Sequence, residues 1–372
     1  MNVLQIVQTL DPETGGVARA VTSLSKALIA RGITVETVTL DPADAPWLRN
    51  GGLQVHALGT GLTSFRYSSA LLPWLRVNRS RFDAVIVNGL WQYLGFAAWR
   101  AFAGSGTPYF VFPHGMLDPW FKVTFPLKHL KKWLYWPWAD YRLLRDACAV
   151  IFTSEEERIV ARKSFWLYRC RERVVALGIE PMYGNEEVFY VRFPQLRGKP
   201  FLLFLGRIHP KKGCDLLIAA AEDASIDVVI AGPDQVGWRA ELEQRATDRV
   251  TFAGMLEGKI KAGALVAADA FILPSHQENF GMAVAEALSV GLPVLISNRV
   301  NIWREIEEDH AGYVDSDDLI GTQRLITRWL QTSASERDEM RRNARACFER
   351  RFSVERAADS LLDVLRETAV AM

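Results

Sequence analysis

The stretch "AFILPSHQENFGMAVAEALSVGLPVLIS", residues 270–297, decides the fold. It opens on "AFILPS", an apolar run of strand length. A loop follows, and then "GMAVAEALSV" reads as a helix. Gly291 stands where a left-handed helix cap is wanted, and Pro293 stops the helix from continuing. A second apolar run, "PVLIS", comes directly after. Strand, helix and strand in that order are the repeating unit of a parallel α/β sheet.

The same alternation runs along the whole chain. The first half offers "NVLQIV", "TVETVTL", "LQVHAL", "DAVIVNG", "PYFVFP", "AVIFTS" and "RVVAL". The second offers "FLLFLG", "DVVIAG", "RVTFAG", "AFILPS", "PVLIS" and "GYV". Near-continuous apolar runs suit parallel strands buried on both faces. The expectation is an α/β protein of two Rossmann-like doubly wound domains facing a central cleft. The first takes residues 1–182 and the second residues 198–352, with the boundary in "PMYGNEEVFYVRFPQLRGK", 181–199. Ligands of such sheets bind at the carboxyl ends of the strands.

Composition narrows the function classes. With 372 residues, 49% hydrophobic and 23% charged, the chain has material for two cores. A net charge of +1, without a block of five like charges, gives no field that would favour nucleic acid. Cys148, Cys170, Cys214 and Cys347 lack metal or redox spacing and are expected as free thiols in a cytoplasmic protein. The N-terminal "MNVLQIVQTL" reads as a strand rather than a signal peptide, and no apolar run reaches the roughly 18 residues of a membrane span.

Returning to 270–297, Glu278 and Glu286 lie eight positions apart, one on the loop and one on the helix. The helix N-terminus, at a strand's carboxyl end, favours a phosphate, and Gly281 lets the backbone approach it. Carboxylates beside a diphosphate fit if they accept hydrogen bonds from sugar hydroxyls. The alternative is a capping box, Ser275 with Glu278, with Glu286 facing solvent. A second cluster, "FLGRIHPKKGCDLLI", puts Arg207 and Lys212 after another strand, suited to a diphosphate leaving group. The plainer reading is that Lys211 and Lys212 form a solvated turn, which suits Lys211 better than Lys212. In "QTLDPETGGVARAV", Gly15 and Gly16 open a helix without matching a dinucleotide or P-loop pattern. "FPHGMLDPW" sets His114 after a strand and before a glycine.

At these residues the sequence resembles the retaining glycosyltransferases of family 4, which have the GT-B fold, of the type found in bacterial surface-polysaccharide assembly. The resemblance rests on Gly15–Gly16, "HG" at 114–115, "GRIHPKKG" at 206–213, "ENFGMAVAEAL" at 278–288 and "GLPVLIS" at 291–297, in the family's order. It implies transfer of a sugar from a GDP- or UDP-sugar to a saccharide or lipid-linked saccharide, with retention. It implies that Glu286 binds the ribose and Glu278 the donor sugar, with Asn279, Phe280, Gly281 and Met282 shaping the loop. Arg207 and Lys212 would neutralise the diphosphate, His114 would lie near the transferred sugar, and Gly15 and Gly16 near the diphosphate or acceptor. Gly254 and Met255, in "TFAGML", would receive the base. No metal and no cofactor is implied, the nucleotide sugar being a co-substrate. "DSD", 315–317, is read as a solvated turn. The family often has a "PNG" turn at the domain junction, where this chain has "VALGIE", 175–180. The C-terminal helix, 353–372, would cross back onto the first domain. A sugar-nucleotide epimerase and a non-catalytic sugar-nucleotide-binding subunit are the competing readings.

Nine of the twelve tryptophans precede residue 182. "KHLKKWLYWPWADYRLLR", 128–145, interleaves Trp133, Trp136 and Trp138 with Lys128, Lys131, Lys132, Arg142 and Arg145. That mixture suits peripheral contact with an anionic membrane at the inner face of the cytoplasmic membrane. The plainer reading is a helix with one core face and one solvated face, broken at Pro137.

Overall fold

A computed structural model describes residues 1–49, 52–124 and 126–370. The chain forms two units, Met1–Gly178 with Val354–Met372, and Ile179–Ser353. Each apolar run quoted above became a strand. In the first unit these are β1 (Asn2–Ile6), β2 (Thr34–Thr39), β3 (Gln54–Ala57), β4 (Ala84–Asn88), β5 (Tyr109–Phe112), β6 (Ala149–Phe152) and β7 (Glu172–Val174). They pair in parallel in the order β3-β2-β1-β4-β5-β6-β7. In the second unit β8 (Phe201–Leu205), β9 (Asp227–Ala231), β10 (Val250–Gly254), β11 (Ala270–Leu273), β12 (Val294–Ser297) and β13 (Gly312–Asp315) pair in parallel as β10-β9-β8-β11-β12-β13. In both sheets the order reverses beside the unit's first strand, which marks the switch point where such sheets bind ligands: β1/β4 in the first, β8/β11 in the second.

The core follows from the strand sequences. Phe201–Leu205 is buried along its whole length, as is Ala84–Asn88, because helices cover both faces of each sheet. The C-terminal helix Val354–Val370 belongs to the first unit. Its apolar residues recur at helical spacing, and Ala358, Leu361, Leu362 and Leu365 bury against Leu28, Ile86 and Phe110. Arg31 fixes its start by bonding Asp359 at 2.5 Å and the Glu355 carbonyl at 2.7 Å.

The boundary differs from the expected one. The chain enters the second unit at Ile179 and leaves it at Ser353, and these two residues form a parallel bridge. The supposed linker 181–199 is structured and belongs to the second unit. Its helix Glu186–Arg192 buries Phe189 on Phe201, ring centres 5.6 Å apart. Polar and Gly-Pro composition suggested a connector, but three aromatic side chains, Phe189, Tyr190 and Phe193, gave it a core of its own. The segment 128–145 breaks as expected at Pro137, into Pro126–Tyr135, a short 3-10 turn and Asp140–Asp146. The four cysteines are free thiols. Among the described residues no helix is long and apolar enough to cross a membrane.

Candidate functional site

In the second unit the loops leaving β8 and β11 meet at the switch point. Gly213 has φ 69°, and a Cβ there would stand 2.3 Å from the Pro274 carbonyl oxygen, so the two loops touch only because position 213 has no side chain. The His276 amide donates to the Lys211 carbonyl at 2.8 Å, and the Ser275 hydroxyl lies 3.0 Å from the same oxygen. This seam carries Lys212, which is buried, onto the Glu278 carboxylate in a close ion pair. Burial alone would push the Glu278 carboxyl up, but Lys212, helped by Lys211 and Arg207, holds it below the ordinary glutamate range. Lys211 bonds Gln277 at 3.3 Å, so it joins the cluster, against the plainer reading of a solvated turn. Arg207 is exposed and bonds Gln235 at 3.0 Å.

The capping box is not formed. Gly281, at φ 78°, is the N-cap of Met282–Ser289, and Ser275 serves the loop seam instead. A Cβ on Gly281 would meet Val284 and Val300 at 3.1 and 3.2 Å, so glycine is needed for space and for backbone. With no side-chain cap on this helix, its first N–H groups are available to an anion. Asn279 accepts from Asn301 at 3.4 Å, and Phe280 is buried edge-on to Phe352. Glu286 does not face solvent alone: Lys261, on the helix Gly258–Ala267, holds it at 2.7 Å. Gly254 ends β10 at φ 69°, and Met255 beside it is half exposed. "DSD" is not a solvated turn. Asp315 pairs with Arg324, and Asp317 pairs with His276 at 2.9 Å and Arg299 at 3.2 Å.

In the first unit Gly15 caps the helix Gly16–Ala30 at φ 124°, with nothing near a Cβ, so the backbone angle alone demands glycine. The loop before it hangs on buried Asp41, which accepts from Thr9 at 2.5 Å and from the Leu10 amide at 2.9 Å. His114 follows β5 at φ 51°, its ring stacked on Phe112. Asn88, at the end of β4, donates to Gln5 at 2.8 Å, so its carbonyl oxygen is left to accept from His114 Nε2 at 3.0 Å. The ring is therefore protonated on Nε2 and presents Nδ1 as an acceptor, buried and without a partner. Burial pushes the imidazole down to about 4, so it is neutral near pH 7. Asn88 was not among the expected residues; neither were Glu157, which accepts from the Gly115 amide at 2.5 Å, nor Asp140, which accepts from the Trp91 amide at 3.0 Å. None of these pairs has a local sequence signal.

The basic aromatic segment is less uniformly exposed than its composition suggested. Trp136 is buried against Phe165, ring centres 4.4 Å apart, and Lys132 lies over the Trp91 ring at 4.5 Å. Leu127, Leu130, Trp133 and Leu134 remain exposed on the helix that carries Lys128 and Lys131.

The family model for glycosyl transferases group 1 matches residues 191–346, and that for the glycosyl transferase 4-like domain matches 15–178. The chain belongs to the group 1 glycosyltransferases. Its chemistry is glycosyl transfer, as the expected reading had it and the epimerase reading did not. It is 26% identical, over 100% of its length and 97% of the relative's, to a GDP-mannose-dependent alpha-(1-6)-phosphatidylinositol dimannoside mannosyltransferase of Mycobacterium tuberculosis. It is 26% identical to a D-rhamnosyltransferase of Pseudomonas aeruginosa, over 95% of this chain and 92% of that one. A sucrose-phosphate synthase from Thermosynechococcus elongatus shares the fold, with a TM-score of 0.76 at 20% identity over 100% of both chains. The architecture is GT-B.

Proposed function

We propose that this glycosyltransferase moves a mannosyl or 6-deoxymannosyl group from a GDP-sugar to a lipid-linked saccharide, with retention and without a metal ion. The observation that carries the reading is the Lys212–Glu278 pair at the β8/β11 switch point, with Arg207 and Lys211 acting on the same carboxylate. Cations and a helix N-terminus at one strand edge suit a diphosphate, and the paired carboxylate suits a sugar hydroxyl. The full-length likeness to a GDP-mannose-dependent enzyme and to a D-rhamnosyltransferase supports the donor class, since D-rhamnose is 6-deoxymannose.

In this mechanism Arg207 and Lys212 meet the diphosphate and the N-terminal amides of Met282–Ser289 receive an oxygen. Glu278 accepts from the donor sugar, Glu286 from the ribose, and the backbone at Gly254–Met255 faces the base. Asn279, Phe280 and Met282 shape that loop. Neutral His114 borders the transferred sugar in this reading, and the Gly15–Gly16 turn the diphosphate or acceptor. The bond from the anomeric carbon to the phosphate oxygen breaks, and one to the acceptor oxygen forms on the same face. The acceptor proton passes to the leaving diphosphate, whose growing charge Arg207 and Lys212 offset.

The exposed apolar face of Pro126–Tyr135, beside Lys128 and Lys131, supports docking on an anionic leaflet. The test is transfer from GDP-mannose to a lipid-extract acceptor in EDTA, with the product's anomeric configuration read by NMR. An α-linked product, lost in Arg207→Ala, is expected. Donor binding without transfer to any acceptor would revive the non-catalytic subunit, and an inverted product would overturn the mechanism.

A further inference from the structure

The His114–Gly115 turn is an unusual piece of backbone. Both residues are left-handed, with φ 51° and 76°. For glycine this is easy; for histidine it is strained and persists only where the surroundings enforce it. Asn88 fixes the ring but not the peptide that follows it. That peptide is fixed by Glu157, on the helix Glu155–Ala161. The side chain is only 2% exposed. One carboxylate oxygen accepts from the Gly115 amide at 2.5 Å. The other accepts from both the amide and the hydroxyl of Thr153, each at 2.6 Å. Its own amide is capped by Ser154 at 3.1 Å, which locks the helix start from which the side chain reaches out.

We propose that Glu157 is a positioning residue for the transfer step. It holds the 114–115 peptide so that the His114 ring keeps its place and orientation at the β5 edge. The inference rests on the reading of His114 as a site residue. The chemistry requires a carboxylate rather than any polar side chain. Two backbone N–H groups, 38 residues apart, each need an acceptor, and glutamate supplies one oxygen to each. Glutamine has a single acceptor oxygen, so its amide NH2 would face either the Gly115 or the Thr153 N–H. Aspartate is one carbon shorter. Losing the Gly115 bond frees the turn to relax toward ordinary φ values and carries the imidazole with it. A displacement of about 1 Å at a substrate-positioning group lowers turnover up to about a hundredfold.

The test compares Glu157→Gln, Thr153→Val and His114→Ala in transfer assays, with melting temperatures measured in parallel. Thr153→Val removes one bond to Glu157 but leaves both backbone bonds. Glu157→Gln is expected to lose turnover at least about tenfold with the donor KM unchanged, and Thr153→Val to keep most of it. Equal turnover in these two variants would overturn the proposal. His114→Ala at wild-type turnover would overturn the reading on which it rests. A dead His114→Ala beside a fully active Glu157→Gln would sink the role of Glu157 alone. Should Glu157→Gln fail to fold, amide hydrogen exchange on the unaltered protein decides the contact. A strongly protected Gly115 amide is expected; a fast-exchanging one refutes the bond.

Discussion

Replacing Lys212 by methionine tests the geometry of the second unit before any substrate is added. The lysine side chain is 7% exposed and its partner Glu278 25% exposed. Methionine keeps the volume but removes the charge, leaving a carboxylate that burial alone pushes up. Breaking a buried pair in this way costs about 3–5 kcal/mol, and the partial exposure of Glu278 places this case near the lower figure. For a domain of this size about 3 kcal/mol corresponds to a melting temperature roughly 6–12 °C lower. The sign with pH follows from the partners. In the native protein Glu278 is held below its ordinary value, so the pair stabilises above the glutamate range and is lost as pH falls through the folded value. In Lys212→Met the carboxyl is raised instead, so the deficit grows as pH rises from about 4. The assay is thermal unfolding at pH 8 and pH 4 without donor. The deficit should be larger at pH 8 than at pH 4, and Lys212→Met/Glu278→Gln should recover most of it. An unchanged melting temperature at pH 8, or a double variant no better than the single one, would refute the reasoning.

Other consequences can be checked separately. Burial raises the Asp140 carboxyl to about 7 against the opposing pull of the Trp91 amide and Lys132, so ionising it opposes folding, and the protein loses stability as pH rises from about 4 to 7. Asp140→Asn should flatten urea stability between pH 5 and pH 8; a profile as steep as the parent's would contradict this. Gly213→Ala combines left-handed strain with a Cβ 2.3 Å from a carbonyl oxygen and should lose about 2 kcal/mol or more in denaturant titration. Deleting residues 354–372 uncovers Leu361, Leu362 and Leu365, roughly 5 kcal/mol of apolar burial, and should leave the first unit protease-sensitive.

The sheets were legible because each strand is a run of apolar residues too continuous for a half-exposed surface, and both sheets bury both faces. Gly281, Gly291 and Pro293 likewise carry their backbone meaning in their chemistry. Arg207, Lys212 and Glu278 could be placed on the loops after strands, and Glu286 on the helix that follows, by position alone. What brings them together could not: Lys261 meets Glu286 from another helix, and the Lys212–Glu278 pair spans 66 residues. Asn88 and Glu157 were missed for the same reason. Their partners are 26 and 42 residues away, and nothing local marks an asparagine that orients a histidine or a glutamate that holds a turn. Composition misled where polar stretches hid specific contacts. Asp317 pairs with His276 and Arg299, and Phe189 gives the supposed linker a core.

The proposed donor site is a metal-free GDP-sugar site built on Arg207, Lys212, Glu278 and Glu286. Thermal unfolding with GDP-mannose, UDP-glucose or no nucleotide, all in EDTA, tests it most directly. At about a hundred times Kd a ligand stabilises the folded state by about 2.7 kcal/mol. GDP-mannose should raise the melting temperature by several degrees in EDTA, UDP-glucose should do less, and Glu286→Ala should lose most of the shift. A shift with UDP-glucose alone, or one that disappears in EDTA, would contradict the account.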